Sequence, residues 1–64
     1  MFVKLTNSNN GNGIFLSADK VYAVYQNPFD DSSTCVFMGR GIEWKVKESP
    51  ETVVMLLNSA LKGR

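Results

Sequence analysis

Hydrophobic and polar residues alternate with a period of two along most of the chain, which is typical of β-strands with one buried face. In residues 2–6 this alternation places Val3 and Leu5 on one face and the polar side chains on the other. Similar short runs, rich in β-branched and aromatic residues, occupy 14–16, 21–26, 34–38 and 42–47. The pattern therefore predicts five short strands.

Polar segments separate these strands. Residues 7–13 contain an Asn-Gly turn signal, 17–20 resemble a turn closed by Ser17 or Asp19 on nearby amides, and 27–33 form a second long loop. The clearest hairpin has Gly39, Arg40 and Gly41 at its tip.

The second arm of this hairpin also alternates. We expect Ile42, Trp44 and Val46 to face inward, with Trp44 buried against a helix, while the charged residues of 42–47 face water.

A helix is predicted over residues 49–62. Ser49 is a suitable N-cap and Pro50 suits the first helical position, while Gly63 is placed to end the helix. Apolar residues recur at helical spacing, which predicts a buried stripe of Val53, Leu56, Leu57, Ala60 and Leu61. The prediction is one α+β domain over 1–64, in which a strongly curved antiparallel sheet of about five strands (1–48) is capped by one C-terminal α-helix.

Length and charge narrow the function. A chain of 64 residues is long enough for one domain. Its net charge of +1 gives too weak an electrostatic field for a typical protein that binds duplex nucleic acid. With one cysteine and no histidine, it has no intrachain disulfide and no ordinary zinc site, so self-association is the remaining route to extra stability. Its longest apolar run, 53–57, is too short to cross a membrane, and the expected compartment is the cytoplasm.

Residues suited to catalysis are scarce. Without histidine there is no Ser-His or Cys-His pair, and Cys35 lies within an apolar run where cysteine is usually a small buried hydrophobe. Asp30 and Asp31 are adjacent, but they fit a solvated turn better than a cation site. We expect no enzymatic activity, no metal and no cofactor.

Binding is better supported, because a sheet with one helix cannot bury both of its faces. Tyr22 and Tyr25 fall on opposite faces of the third strand, and Phe15 points away from its strand neighbours. These aromatic residues either form an apolar patch for a partner or are covered by the curling sheet, and the sequence leaves both open. Among the cations, Lys45 and Lys47 share a face, and Arg40 at the hairpin tip is the best candidate to contact an anion.

Residues 3–6, 15–19 and 46–49 (VKLT, FLSAD and VKES) match the order of motifs in one small bacterial family. On these residues the chain resembles the FlbD-like proteins, which include flagellar FlbD, also called swarming motility protein SwrD. The resemblance implies strands, a glycine-bounded hairpin and a closing helix, with no catalytic residues. The chain departs from the family in its two long loops and at Thr52, where a second glutamate is usual.

We therefore expect a non-enzymatic protein-interaction module that binds itself or another protein. The simplest assembly is a homodimer with Tyr22 or Phe15 near its interface, using edge strands one and three. The alternative is a bacterial or phage oligomer that sequesters a small anionic ligand or nucleotide through Arg40 and the lysines. A weak binder of single-stranded nucleic acid is the second alternative.

Overall fold

The computed structural model describes residues 1–62, and its elements follow the order expected from the sequence. The elements are β1 (Phe2–Thr6), β2 (Gly13–Ser17), a 3-10 turn (Ala18–Lys20), β3 (Ala23–Gln26), β4 (Thr34–Gly39), β5 (Ile42–Val46) and α1 (Pro50–Lys62). The α+β class, the five strands and the C-terminal helix are confirmed. The predicted helix end at Gly63 lies outside the described residues. No helix within residues 1–62 is long and apolar enough to span a membrane.

The five strands form two antiparallel sheets. One pairs β1 with β2, and the other has the order β3-β4-β5. The sheets meet where β1 and β5 end, through an antiparallel bridge between Asn7 and Val46. Beside it, Lys47 N–H donates to the Thr6 carbonyl over 2.9 Å, and Ser8 N–H donates to the Lys45 carbonyl over 2.9 Å. The strong curvature therefore takes the form of a break between two short sheets.

Glu48 ties this junction to the helix. Its carboxylate accepts hydrogen bonds from both the backbone N–H and the hydroxyl of Thr6, each over 2.9 Å. The next residue, Ser49, accepts the Thr52 N–H over 3.2 Å and confirms the predicted N-cap. These bonds set where the helix begins relative to β1.

The helix packs against β1, β3 and the 3-10 turn. It does so through Val53 and Leu57, with Ala60 at the edge of the core. The remaining buried core residues come from the strands and the turn: Val3, Leu5, Leu16, Ala18, Val36 and Val46. The predicted burial of Leu56 and Leu61 is wrong, because they stay 36% and 38% exposed. The core contacts only a narrow arc of the helix, and both leucines lie outside it.

The predicted faces of β5 are only partly correct. Val46 is fully buried, but Trp44 remains 36% exposed and Ile42 is exposed. The helix lies over β1 and β3, so no second layer covers the outer part of the hairpin. The prediction that Trp44 is buried against the helix is therefore wrong.

Candidate binding surfaces

The six residues singled out from the sequence do not form one site. Tyr22 and Arg40 meet at the hairpin tip. Tyr25 and Lys45 lie on the outer face of the three-stranded sheet, Phe15 lies on the outer face of the two-stranded sheet, and Lys47 follows β5.

The hairpin-tip cleft is a cavity of about 370 Å³ lined by Lys20, Tyr22, Met38, Arg40 and Ile42. Two cationic side chains and a phenol therefore line the same cleft as two apolar side chains. Within residues 1–62 no carboxylate lines the cleft. Sequence reasoning singled out Tyr22 and Arg40 as binding residues and counted Lys20 only among the available cations, while Met38 was missed. The pairing of β4 with β5 shifts register between Phe37 and Gly39, which is where Met38 lies. No sequence signal predicts this shift.

The backbone at the hairpin tip places Arg40 in an unfavourable conformation. Arg40 and Gly41 form a two-residue loop, and both have positive φ, 56° and 76°. Positive φ at both positions is what a type I′ turn requires, and Asn-Gly is its usual sequence. An arginine in the left-handed region costs roughly 1–2 kcal/mol. The turn therefore carries an exposed guanidinium at a position where asparagine or glycine would adopt the same backbone conformation at a lower energy.

Gly39 makes room for Tyr22, the aromatic side chain that lines the cleft. A Cβ at Gly39 would lie 2.6 Å from Cε2 of Tyr22, so the absence of a side chain lets the phenol rest on the backbone. On the same ring, Phe37 packs with a centroid distance of 6.3 Å and an interplanar angle of 60°. Tyr22 nevertheless stays 76% exposed. Its ring contacts Gly39 and Phe37 while much of its surface remains open to a ligand.

Tyr25 and Lys45 both bind the carboxylate of Glu43. The Tyr25 hydroxyl donates to the Glu43 carboxylate, and Lys45 Nζ lies 3.2 Å from the same carboxylate. The hydrogen bond to Glu43 raises the pKa of Tyr25 to about 12, while the hydrogen bonds from Tyr25 and then Lys45 lower the pKa of Glu43. Between them on β4, Cys35 is buried, as predicted. This cluster satisfies its own polar groups, so it is a poor place for a ligand.

The outer face of the two-stranded sheet carries Phe2 and Phe15, which are both exposed. Lys4 pairs with Phe15 across the strands, and its aliphatic chain lies over Gly13, where a Cβ would come within 2.8 Å of Lys4 Cε. The question left open by the sequence is settled for these aromatic residues: the sheet does not curl over them.

Lys47 lies apart from all these groups. It follows β5, and its Nζ comes within 3.7 Å of the Cβ position of Gly11 in the 7–13 loop. The structure therefore does not place Lys47 with Arg40.

The outer helix face, defined by Pro50, Glu51, Val54, Met55, Asn58, Ser59 and Lys62, borders an open depression of about 620 Å³. One helix supplies the whole lining, so this is a surface and not an enclosed pocket. Val54 and Met55 are exposed at its centre. No charged residue occurs in the chain between Glu51 and Lys62. This helix thus has apolar side chains on the side that faces away from its own core.

The chain matches no protein-family model, no curated protein and no solved structure. The resemblance to FlbD-like proteins therefore stays a prediction, and so does the expectation that the chain is not an enzyme.

The Asp30–Asp31 pair behaves as a turn. The Asp30 carboxylate accepts the N–H of Ser32 over 3.0 Å and its hydroxyl over 2.6 Å. These bonds from Ser32 lower the pKa of Asp30. Within residues 1–62, no group of three or more metal-ligating side chains comes together.

Proposed function

We propose that this chain is a cytoplasmic, non-enzymatic protein-interaction module that forms a homodimer through its outer helix face. The observation that supports the proposal is the exposure of Val54 and Met55 at the centre of a face with no charge between Glu51 and Lys62. A helix face that meets water usually carries charged residues. An apolar face of this kind is more stable when another surface covers it.

The charges at the two ends of the face favour a second copy as the partner. Glu51 lies in the first turn and Lys62 in the last, separated by about 16 Å along the helix axis. When two such helices pack antiparallel about a two-fold axis, each Glu51 lies beside Lys62 of the partner subunit. The same symmetry sets Met55 opposite Asn58 and Val54 opposite Ser59, so large side chains meet smaller ones.

The size of the face predicts a weak dimer. Roughly half of Val54 and of Met55 is exposed, and covering these side chains on both copies contributes about 4 kcal/mol. Association loses translational and rotational freedom, which offsets much of this gain. The net charge of +1 keeps the repulsion between two copies small. We therefore expect monomer and dimer to exchange with concentration.

Analytical ultracentrifugation over a wide concentration range tests the proposal. Met55→Gln should weaken association, whereas Phe15→Gln is a matched control because Phe15 is 66% exposed and Met55 62%, on different faces. Weaker association of the Phe15→Gln variant alone would move the interface to the sheet.

Charge reversal adds a test of the antiparallel arrangement. Glu51→Lys should weaken the dimer, and adding Lys62→Glu should restore it even though both changes oppose the helix dipole. A wild-type protein that remains monomeric at high micromolar concentration would overturn the homodimer and leave a different protein as the partner.

A further inference from the structure

We infer that the hairpin-tip cleft binds a small ligand that carries both a phosphate group and an aromatic ring, such as a nucleoside monophosphate. The cleft has none of its lining residues in common with the outer helix face, so this inference does not depend on the homodimer. The cations, the aromatic wall, the cavity size and the backbone of Arg40 each support it.

The two cations of the cleft come from different parts of the fold. Lys20 ends the 3-10 turn and Arg40 forms the hairpin tip, yet both border the same cavity. Within residues 1–62 neither forms an ion pair, whereas Lys45 is paired with Glu43. Asp19, the acid next to Lys20 in sequence, accepts the Ser17 hydroxyl over 2.5 Å. This bond, and to a smaller extent the charge of Lys20, lowers the pKa of Asp19, but the two side chains form no salt bridge. Two unpaired cations converging on one cavity favour a multiply charged anion, and arginine suits phosphate through its planar set of donors.

The remaining wall suits a flat ring. Tyr22 presents an exposed phenol that lies over Gly39 and beside Phe37, and a flat ring can stack on it. Met38 and Ile42 supply apolar surface beside it. A volume of about 370 Å³ is near the lower end of the range for ligand pockets, which suits one ring with one phosphate.

The conformation of Arg40 is consistent with a binding role. It has a φ of 56°, where asparagine or glycine is more relaxed. Strained residues of this kind often occur at ligand-binding positions. Arg40→Asn should therefore keep the turn and raise the melting temperature while it removes a cation from the cleft.

Isothermal titration calorimetry with AMP, GMP, CMP and UMP tests the inference, with the corresponding nucleosides and inorganic phosphate for comparison. We expect at least one monophosphate to bind more tightly than both its nucleoside and inorganic phosphate. Arg40→Asn should weaken that binding about 10- to 100-fold, the effect of losing a charged hydrogen bond. Tyr22→Leu should reduce the preference for the nucleotide over inorganic phosphate. Lys45→Gln, a cation outside the cleft, should leave binding unchanged.

Several results would overturn the inference. One is the absence of binding by all four monophosphates, and another is an Arg40→Asn variant that is folded and binds as well as wild type. A third is equal affinity for a monophosphate and inorganic phosphate, which would leave the ring unrecognised. Binding of oligonucleotides far more tightly than monophosphates, with steep salt dependence, would assign the site to a nucleic-acid strand instead. Loss of the dimer by the Met55→Gln variant with nucleotide affinity retained would show that the two sites are separate.

Discussion

Two neighbouring leucines on the helix offer a sharp test of how it packs. Leu57 is 8% exposed and belongs to the core, whereas Leu56 is 36% exposed beside it. The same substitution, leucine to alanine, can therefore be made at two adjacent positions with opposite environments. Neither residue belongs to the outer helix face, so the comparison is independent of dimer formation.

The expected magnitudes differ clearly. Leu57→Ala removes a buried side chain and leaves a cavity, which costs about 2–5 kcal/mol of unfolding free energy. Leu56→Ala leaves no enclosed cavity and should cost about 1 kcal/mol or less. A chain of 64 residues typically has a total stability of about 3–10 kcal/mol, so the first variant is at risk of unfolding.

Urea denaturation at low protein concentration measures both values. If Leu57→Ala does not fold, Leu57→Met provides a milder change that should cost less than about 1.5 kcal/mol. Equal losses for Leu56→Ala and Leu57→Ala, or a larger loss at Leu56, would refute the reasoning, because the helix would then be rotated about its axis.

Two further predictions concern hydrogen bonds to carboxylates. Glu48→Ala should lower the unfolding free energy by about 1.5–3 kcal/mol, because it removes the acceptor of two hydrogen bonds from Thr6. A loss of unfolding free energy no larger than that of Asp31→Ala would contradict this role of Glu48. The hydrogen bond to Glu43 raises the pKa of Tyr25 to about 12, above the usual value of about 10. The contribution of this hydrogen bond to stability is therefore complete below about pH 10 and is lost as the pH rises towards 12. Ultraviolet titration should detect one late phenol ionisation that Tyr25→Phe removes, and persistence of that late ionisation in the variant would rule out the assignment.

The sequence by itself determined the local structure. The alternation in residues 2–6, the glycines around Arg40 and the cap at Ser49 each depend on neighbours close in the chain. For this reason the strands begin and end, and the helix begins, within about two residues of the predicted positions, as with β3, which begins at Ala23 and not at residue 21. The prediction that Cys35 is buried is also confirmed.

Only the tertiary structure decided which faces are covered. Trp44 has the same alternation as Val46, and Leu56 the same helical spacing as Leu57, yet one member of each pair stays exposed because the helix covers only part of the sheets. The hairpin-tip cleft likewise joins Lys20 to Arg40, which are far apart in the chain. Periodicity shows which side of an element is apolar, whereas burial depends on where the other elements pack.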